Sequence, residues 1–159
     1  FIQPTQNFGS LGLKLKLNPK NTTVKNKSII LIDDSLVRGT TCLKIVKMLF
    51  ENGAREVHVR IACPEIKYPD FYGVDMPTKE ELLAHNKTNI EMCNYINASS
   101  LKFLSLNGLY KALIKEKRNP NYPQFSDHYF TGDYPIKPLD KIQGIKIKQL
   151  SLLSGKSSS

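Results

Sequence analysis

The sequence predicts an α/β protein with a parallel sheet at its core. An apolar run rich in β-branched residues, Ser28–Ile32, is followed by a helical pattern and then by an alternating strand. A strand–helix–strand unit of this kind, roughly 35 residues long, makes its two strands parallel. The composition agrees, because 40% of the 159 residues are hydrophobic, which is enough for a packed core and excludes a disordered or fibrous chain.

The first strand is predicted to be buried on both faces, since an uninterrupted apolar run is typical of a parallel strand between two layers of helices. The helix is predicted from apolar residues at helical spacing, which are Leu43, Ile45, Val46, Leu49 and Phe50. Gly53 stands where a glycine commonly ends a helix. The second strand is predicted over Val57–Ala62, where apolar and polar residues alternate.

Shorter elements are predicted for the rest of the chain. The stretch 64–77 holds three prolines and three aromatic residues and is expected to be an ordered irregular loop. Helices are expected over 78–85, over 89–96 and from an Asn107 cap to about Lys115, with short strands over 11–17 and 100–104. We divide the chain into a globular portion, 1–116, and a C-terminal helical and irregular extension, 117–159, frayed at its end.

Composition and charge exclude several classes of protein. No stretch approaches 18 consecutive apolar residues, so no membrane span is predicted. No signal peptide follows Phe1, which stands in mid-pattern, so the chain is interpreted as a fragment. The net charge of +9 comes from lysines near the two ends, and nucleic-acid binding is not expected because no aromatic residues are interleaved with the arginines. The three cysteines lack metal-type spacing, which favours the reducing cytoplasm.

The segment 29–41 carries the chemistry, because a buried strand, two acids, a short loop and a helix follow one another there. Ligands of parallel sheets bind beyond the carboxyl ends of the strands, where this loop falls. A helix N-terminus favours phosphate, and Gly39 lets the backbone approach a ligand closely. Further donors are the hydroxyl groups of Ser35, Thr40 and Thr41.

The two adjacent acids of this segment, Asp33 and Asp34, repel each other unless something positive or hydrogen-bonding lies between them. Sugar hydroxyls and hydrated Mg²⁺ both meet that requirement. The segment therefore predicts a site for a phosphorylated sugar with Mg²⁺. The alternative is an ordinary strand–helix turn in which Asp34 or Ser35 caps the helix and Asp33 is solvated.

The run Asp33–Thr41 resembles the phosphoribosylpyrophosphate (PRPP) signature of type I phosphoribosyltransferases. The resemblance is closer still to the amidophosphoribosyltransferase branch of that family and extends in order along nearly the whole chain. The other segments that carry it are Phe1–Gln6, Lys16–Asn18, Gly53–Arg60, Pro64–Pro69, Phe71–Asp75, Glu81–Ala84 and Phe130–Pro135. It implies a partial type I phosphoribosyltransferase fold, in which residues 1–116 are the C-terminal portion of the phosphoribosyltransferase domain.

The resemblance also implies an activity. Members of this branch make 5-phosphoribosylamine, pyrophosphate and glutamate from glutamine, water and PRPP, in the first committed step of purine synthesis. Their N-terminal glutaminase domain releases the ammonia, and this chain contains no counterpart of it, so a C-terminal fragment that is incomplete alone is expected. Purine nucleotide inhibitors and a homo-oligomer of the complete enzyme are expected as well. Two alternatives stay open, a non-catalytic module that senses PRPP or nucleotide, and an inactive gene remnant.

Roles for individual residues follow from the same resemblance. Asp33 and Asp34 are expected to hold the ribose hydroxyls, directly or through water on Mg²⁺, and are thus both catalytic and metal-binding. Lys16 matches a family lysine expected to reach the pyrophosphate, although Gly9 stands where the family usually has an arginine. The 5′-phosphate is expected to be cradled by Ser35, Val37, Arg38, Gly39, Thr40 and Thr41.

At two places the sequence differs from other members of the family, and each difference excludes one kind of relative. Hypoxanthine–guanine salvage enzymes have an acid at the position of Val37, which as an apolar residue cannot act as a general base. One branch of the family carries a structural iron–sulfur cluster, and its cysteine ligands correspond here to Asp70, Ser126 and Tyr129. Such clusters are held by thiolates, so no iron–sulfur cluster is expected. The chain's own cysteines, Cys42, Cys63 and Cys93, are expected to be small hydrophobic residues.

Overall fold

The computed structural model describes residues 24–73 and 77–136. Within these ranges three strands form one parallel sheet in the order β1-β2-β3, which confirms the predicted α/β class. A 3-10 turn, Lys79–Glu81, precedes the second helix. The strands and α-helices are β1 (Ser28–Asp33), α1 (Thr40–Glu51), β2 (Glu56–Ile61), α2 (Leu83–Asn86), α3 (Asn89–Tyr95), β3 (Ser100–Phe103), α4 (Leu106–Ile114) and α5 (His128–Thr131).

The hydrophobic core lies on one face of the sheet. Every second residue of β2 points into it, and Val57, Val59 and Ile61 are all buried. Helix α1 covers this face with its buried stripe, Cys42, Val46 and Leu49. The strand–helix–strand unit is therefore formed as its hydrophobic periodicity predicts.

The prediction that β1 is buried on both faces is wrong. Ile30 is 65% exposed and Ile32 is 73% exposed, whereas Ile29 and Leu31 pack against the core. The reason is that the described residues pack a layer against only one face of the sheet, so alternate side chains of β1 are exposed on the other face. An apolar run alone does not reveal whether the chain supplies the second layer.

Two predicted helix boundaries also differ. The helix expected over 78–85 is divided at Leu82, which has an extended backbone, ψ 115°, and is fully buried. The Asn86 side chain donates to the carbonyl oxygens of Glu80 and Leu82 and thereby binds the two halves together. Helix α4, predicted to be capped by Asn107, begins at Leu106. Its cap is Ser105, whose hydroxyl accepts a hydrogen bond from the Gly108 amide.

The segment 126–136 packs against the irregular loop after β2. The carbonyl oxygen of Tyr129 accepts hydrogen bonds from the amides of Lys67 and Tyr68, at 2.9 and 3.1 Å. This segment contains α5, a short helix that periodicity did not predict. The division at residue 116 stays a prediction, and the expected strand over 11–17 lies outside the described residues. Among the described helices, none has the length and apolar character that crossing a bilayer requires.

Candidate functional site

The predicted ligand turn lies at the carboxyl end of β1. Asp33 is the last residue of that strand, and the turn ends at Gly39, directly before α1. Gly39 has φ 76°, and a Cβ there would lie 2.7 Å from Cδ2 of Leu83 and 3.1 Å from the ring of Tyr95. Only glycine meets both conditions without displacing its neighbours, so the turn depends on this residue.

A second segment of the chain supports the turn from outside. The Leu83 amide donates to the carbonyl oxygen of Val37 at 2.9 Å. The Arg38 guanidinium donates to the Glu81 carboxylate at 3.1 Å, and this hydrogen bond lowers the pKa of Glu81. The sequence did not predict Glu81 or Leu83 as supports of the turn, although both lie in the segment Glu81–Ala84 that carries the family resemblance. Their role depends on which segment folds next to the turn, and no local pattern contains that information.

The two carboxylates of the turn form hydrogen bonds with their immediate neighbours in the sequence. An oxygen of Asp33 accepts from the Asp34 amide at 3.0 Å, and the Ser35 hydroxyl donates to Asp34 at 3.4 Å. Among the described residues neither carboxylate forms a salt bridge. Burial raises the pKa of Asp33, and the nearby charge of Asp34 raises it further, against the lowering effect of the amide hydrogen bond.

The N-terminus of α1 has no cap of its own. Gly39 occupies the cap position and makes no side-chain capping hydrogen bond, and the first turn of the helix contains no acid. By contrast, Thr88 and Glu91 form a complete capping box at the start of α3. The alternative in which Asp34 or Ser35 caps the helix is therefore not what the structure contains. A helix N-terminus without a side-chain cap can bind an anion such as a phosphate group through its first amides.

The carboxylates of Asp33 and Asp34 are suitable ligands for Mg²⁺. In the described part of the chain, no three His, Cys, Asp or Glu side chains gather in a way that could hold a metal ion by themselves. Mg²⁺ does not need such a cage, because it keeps several waters and commonly takes one or two carboxylates together with substrate phosphates. Asp33 and Asp34 supply two carboxylates at the edge of the sheet where such a substrate would bind.

The cysteines are placed as hydrophobic residues rather than as ligands. All three are free thiols. Burial raises the pKa of Cys42 to about 12 and that of Cys63 to about 11, so both thiols stay protonated near neutral pH. The Cys93 sulfur contacts the carbonyl oxygen of Ala98 at 3.2 Å.

The three positions that match cluster ligands of one family branch come together in space. Nε2 of His128 lies 2.8 Å from an oxygen of Asp70, and Nδ1 lies 3.0 Å from the Ser126 hydroxyl. The side chains of Asp70 and His128 are each only 1% exposed. Burial and the charge of Asp70 raise the pKa of Tyr129. We call the group formed by Asp70, Ser126, His128 and Tyr129 the histidine cluster.

Aromatic residues enclose the histidine cluster and join the loop after β2 to the segment 126–136. The ring of His128 lies 5.2 Å from that of Tyr72 and 5.0 Å from that of Tyr134. The Tyr134 hydroxyl donates to the carbonyl oxygen of Pro69 at 2.9 Å. These contacts anchor the loop after β2, which was expected to be ordered and irregular. The role of His128 could not be predicted, because nothing in its local sequence marks it.

A cavity of about 450 Å³ lies at the same edge of the sheet, beside the ends of β2 and β3. It is lined by Lys67, Lys102, Phe103 and Phe130 among others, and by no residue of the turn 33–41. The cavity and the predicted phosphate turn are thus separate features. Lys16 and Gly9, the other predicted contributors, lie outside the described residues.

Comparison with known proteins finds relatives in the same family that the motif Asp33–Thr41 resembles. A scan against protein-family models finds none that matches this chain. The amidophosphoribosyltransferase of Rhizobium etli is 53% identical over 155 residues, which are 97% of this chain and 31% of that protein. The amidophosphoribosyltransferase of Staphylococcus aureus strain Mu50 is 47% identical over 135 residues, which are 85% of this chain and 27% of that protein.

A solved structure supports the fold as well as the sequence similarity. The glutamine PRPP amidotransferase from B. subtilis, complexed with ADP and GMP, superposes with a TM-score of 0.69 at 43% identity and covers 85% of this chain and 30% of its own. The fold is thus of the type I phosphoribosyltransferase kind. This chain spans only about 30% of the length of the relatives that it matches. It belongs to the amidophosphoribosyltransferase family and corresponds to the C-terminal part of its members.

Proposed function

We propose that this chain supplies the PRPP-binding part of an amidophosphoribosyltransferase, in which ammonia derived from glutamine replaces the pyrophosphate of PRPP at the first step of purine synthesis. One observation carries the proposal. The turn after β1 combines an uncapped helix N-terminus with two carboxylates that form no salt bridge among the described residues. A phosphate and a polyol bound together on Mg²⁺ satisfy both features at once.

The 5′-phosphate is the group that fits the start of α1. The first amides of the helix point out of its N-terminus, and the partial positive charge of the helix dipole favours an anion there. Hydroxyl groups of Ser35, Thr40 and Thr41 stand at the same turn. Gly39, packed against Leu83 and Tyr95, keeps the backbone close enough for the amides to reach the ligand.

The ribose hydroxyls are assigned to Asp33 and Asp34, which accept hydrogen bonds and so fix the sugar relative to the phosphate. Bound Mg²⁺ would be held by the same two carboxylates and would neutralise the negative charge of the departing pyrophosphate. Positioning of this kind lowers the barrier because the reacting groups are already oriented. Val37 offers no base, which suits ammonia, a nucleophile that arrives unprotonated.

The motif assigns Arg38 to the phosphate, whereas in the structure its side chain contacts another part of the chain. Its guanidinium is paired with Glu81, so in this geometry it ties the turn to the segment that supports it. A direct contact of Arg38 with the phosphate stays a prediction, as do the roles of Lys16, the homo-oligomer and the cytoplasmic location. Purine nucleotides are proposed as further ligands, because the B. subtilis relative is complexed with ADP and GMP.

Calorimetry with PRPP and Mg²⁺ tests the site. We expect the 159-residue chain to bind, and Asp33→Asn and Asp34→Asn each to weaken binding at least tenfold, since a hydrogen bond to a charged group contributes about 1.5–3 kcal/mol. Glu116→Gln is the matched control, because it removes one exposed carboxylate away from the turn. Equal binding by all four proteins, or none by the unaltered chain, would contradict the proposal.

A second measurement separates the enzyme from a sensing module. The chain is supplied with PRPP, Mg²⁺ and ammonium, together with the part of the R. etli relative that lies outside the match, and pyrophosphate release is recorded. Release that depends on Asp33 and on both polypeptides supports a contribution to catalysis. Binding of PRPP without any release would instead identify a non-catalytic module.

A further inference from the structure

Arg38, in the turn after β1, is held by one neighbouring segment of the chain. Just before it, the carbonyl oxygen of Val37 accepts a hydrogen bond from the Leu83 amide at 2.9 Å. Just after it, Gly39 is packed against the side chain of the same Leu83. The Arg38 side chain itself donates from Nε to Oε1 of Glu81 at 3.1 Å. The backbone on both sides of Arg38 and its guanidinium are therefore fixed together.

The segment that holds Arg38 is itself firmly anchored. Leu82 is fully buried, and Leu83 and Ala84 are buried as well. The Asn86 side chain donates to the carbonyl oxygens of Glu80 and Leu82, on either side of Glu81. The Glu81 carboxylate is thus carried by a fixed backbone, which is what a residue needs in order to position another side chain.

The two carboxylate oxygens of Glu81 have different partners. Oε2 accepts from the Thr78 amide at 3.1 Å and completes a capping box, whereas Oε1 accepts from Arg38. The capping box of Thr88 and Glu91 at the start of α3 gives a comparison. There the carboxylate accepts from the threonine amide at 2.7 Å and forms no salt bridge among the described residues. A capping box does not need an arginine, so the contact with Arg38 is a separate task of Glu81.

The guanidinium of Arg38 is paired at one nitrogen only. Among the described residues its terminal amino groups donate no hydrogen bond, and the side chain is 54% exposed. A guanidinium binds a phosphate group best through parallel N–H donors, which these terminal groups supply. An arginine with no partner would sample many rotamers, and ordering it would oppose ligand binding. Pairing at Nε alone orders the side chain and leaves its terminal donors available.

We propose that Glu81 is a positioning residue for PRPP, which orients Arg38 through Nε so that the terminal amino groups of the guanidinium bind a phosphate group of the ligand. The inference rests on the proposed function, which supplies the ligand. Glu81 does not touch PRPP and acts only through Arg38. An exposed ion pair contributes little to stability, so the effect of Glu81 is on ligand affinity rather than on folding.

A double-mutant cycle tests the inference by calorimetry with PRPP and Mg²⁺. We expect Arg38→Ala to weaken binding about tenfold or more, because a charge-assisted contact is lost. Glu81→Ala is expected to weaken it about threefold to tenfold, because ordering of the Arg38 side chain then opposes binding. In the Arg38→Ala background, Glu81→Ala should change the affinity by less than about twofold, since Glu81 has nothing left to position. Glu81→Gln should restore most of the affinity, because its amide oxygen can still accept from Nε.

Two further variants serve as matched controls. Glu80→Ala removes an acid from the same 3-10 turn that forms no salt bridge with Arg38. Glu91→Ala removes the carboxylate of the other capping box. Both should bind PRPP like the unaltered chain. Thermal unfolding establishes that each variant is folded. Glu81→Asp, which keeps the charge but is too short to reach both Thr78 and Arg38, replaces Glu81→Ala in the cycle should that variant unfold.

The outcomes separate this inference from the proposed function. Unchanged affinity in Glu81→Ala, equal weakening with and without Arg38, or equal weakening by Glu80→Ala would overturn the role of Glu81. The proposed function would stand in each of these cases as long as PRPP binding still depends on Asp33. Failure of the unaltered chain to bind PRPP would overturn the proposed function and the role of Glu81 with it.

Discussion

Two groups of acids in this molecule are held in opposite ways. Asp33 and Asp34, at the turn after β1, form no salt bridge among the described residues, and burial raises the pKa of Asp33. Asp127 is buried, yet its carboxylate accepts hydrogen bonds from Nε of Arg118 at 2.5 Å and from the Tyr110 hydroxyl at 2.8 Å. Burial alone would raise the pKa of Asp127, but these hydrogen bonds outweigh it and hold the pKa below its ordinary value.

The difference separates structural acids from acids available to a ligand. A buried carboxylate whose hydrogen-bonding capacity is filled by the chain holds segments together and has nothing left for a ligand. Asp127 joins Tyr110 of α4 to the segment that contains α5, and Asp70 joins the loop after β2 to His128. A carboxylate without a partner of opposite charge keeps its oxygen lone pairs available for an external ligand such as Mg²⁺ or a sugar hydroxyl.

The sharpest test of this contrast is Asp127→Asn. Removing the buried partner leaves Arg118 with only the half-exposed Asp133 as an ionic partner, and we expect a loss of about 3 kcal/mol in the free energy of unfolding. Urea denaturation at pH 7 measures it. Asp133→Asn is the control, because Asp133 also contacts Arg118, at 2.6 Å, but its side chain is 54% exposed. There we expect less than about 1 kcal/mol.

The pH dependence of the Asp127 contribution has a definite sign. The folded pKa is depressed below 3.8, so the unfolded chain binds the proton more tightly. The stabilisation is therefore complete above that value and is lost as the pH falls through the folded pKa. The gap between the wild type and Asp127→Asn should close in acid. A gap that stays constant from neutral pH to strong acid would contradict the paired state of Asp127.

The next largest effect is expected for Gly39→Ala, compared with Gly73→Ala. Both glycines have positive φ, 76° and 112°, but a Cβ at Gly73 meets nothing within 4 Å. Gly73→Ala should cost about 1 kcal/mol for the backbone conformation alone. Gly39→Ala should cost roughly 1–3 kcal/mol more, because Leu83 and Tyr95 must also shift. It should abolish PRPP binding, whereas Gly73→Ala should leave it intact.

Thermal unfolding and calorimetry on these two variants measure both quantities. Equal losses of stability would mean that the packing of Leu83 and Tyr95 against the turn contributes nothing. Loss of PRPP binding in both variants would mean that the effect is not specific to the turn after β1.

The smallest effect on stability is expected for Asp33→Asn, although its effect on PRPP binding is large. The raised pKa of Asp33 means that the folded chain binds the proton more tightly, so stability falls as the pH rises from about 3.8 through the folded pKa. The amide removes this fall, and we expect the variant to be as stable as the wild type or more stable by less than about 1 kcal/mol at pH 7. Urea titrations between pH 3 and 7 measure the difference. A clear destabilisation would place Asp33 with the structural acids.

The elements that could be predicted from the sequence are those whose determinants are local. The first strand, helix α1 and the second strand follow from hydrophobic periodicity, and Gly53 marks the end of the helix with φ 85°. The determinants of the proposed ligand turn are equally local, because its acids, its glycine and its hydroxyl groups lie within one short run of the sequence. The misplaced cap at Asn107 is a near miss of the same kind, since Ser105 stands two residues earlier.

Other features have determinants far apart in the sequence. Glu81 supports Arg38 across 43 residues, and His128 binds Asp70 across 58. At Leu82 the helical pattern is broken by an extended backbone, and the side chain there is fully buried. No window along the chain contains both partners of such a contact, so periodicity and motif analysis do not find it.

The sequence by itself determined the parallel strand–helix–strand unit and the kinds of side chain at the turn after β1, because side-chain periodicity and a nine-residue motif act within the span of one supersecondary unit. Only the tertiary structure decided which acids are satisfied by the chain and which stay open, and which face of β1 is covered. Pairing and burial depend on segments that meet in space, and that meeting is a property of the whole fold.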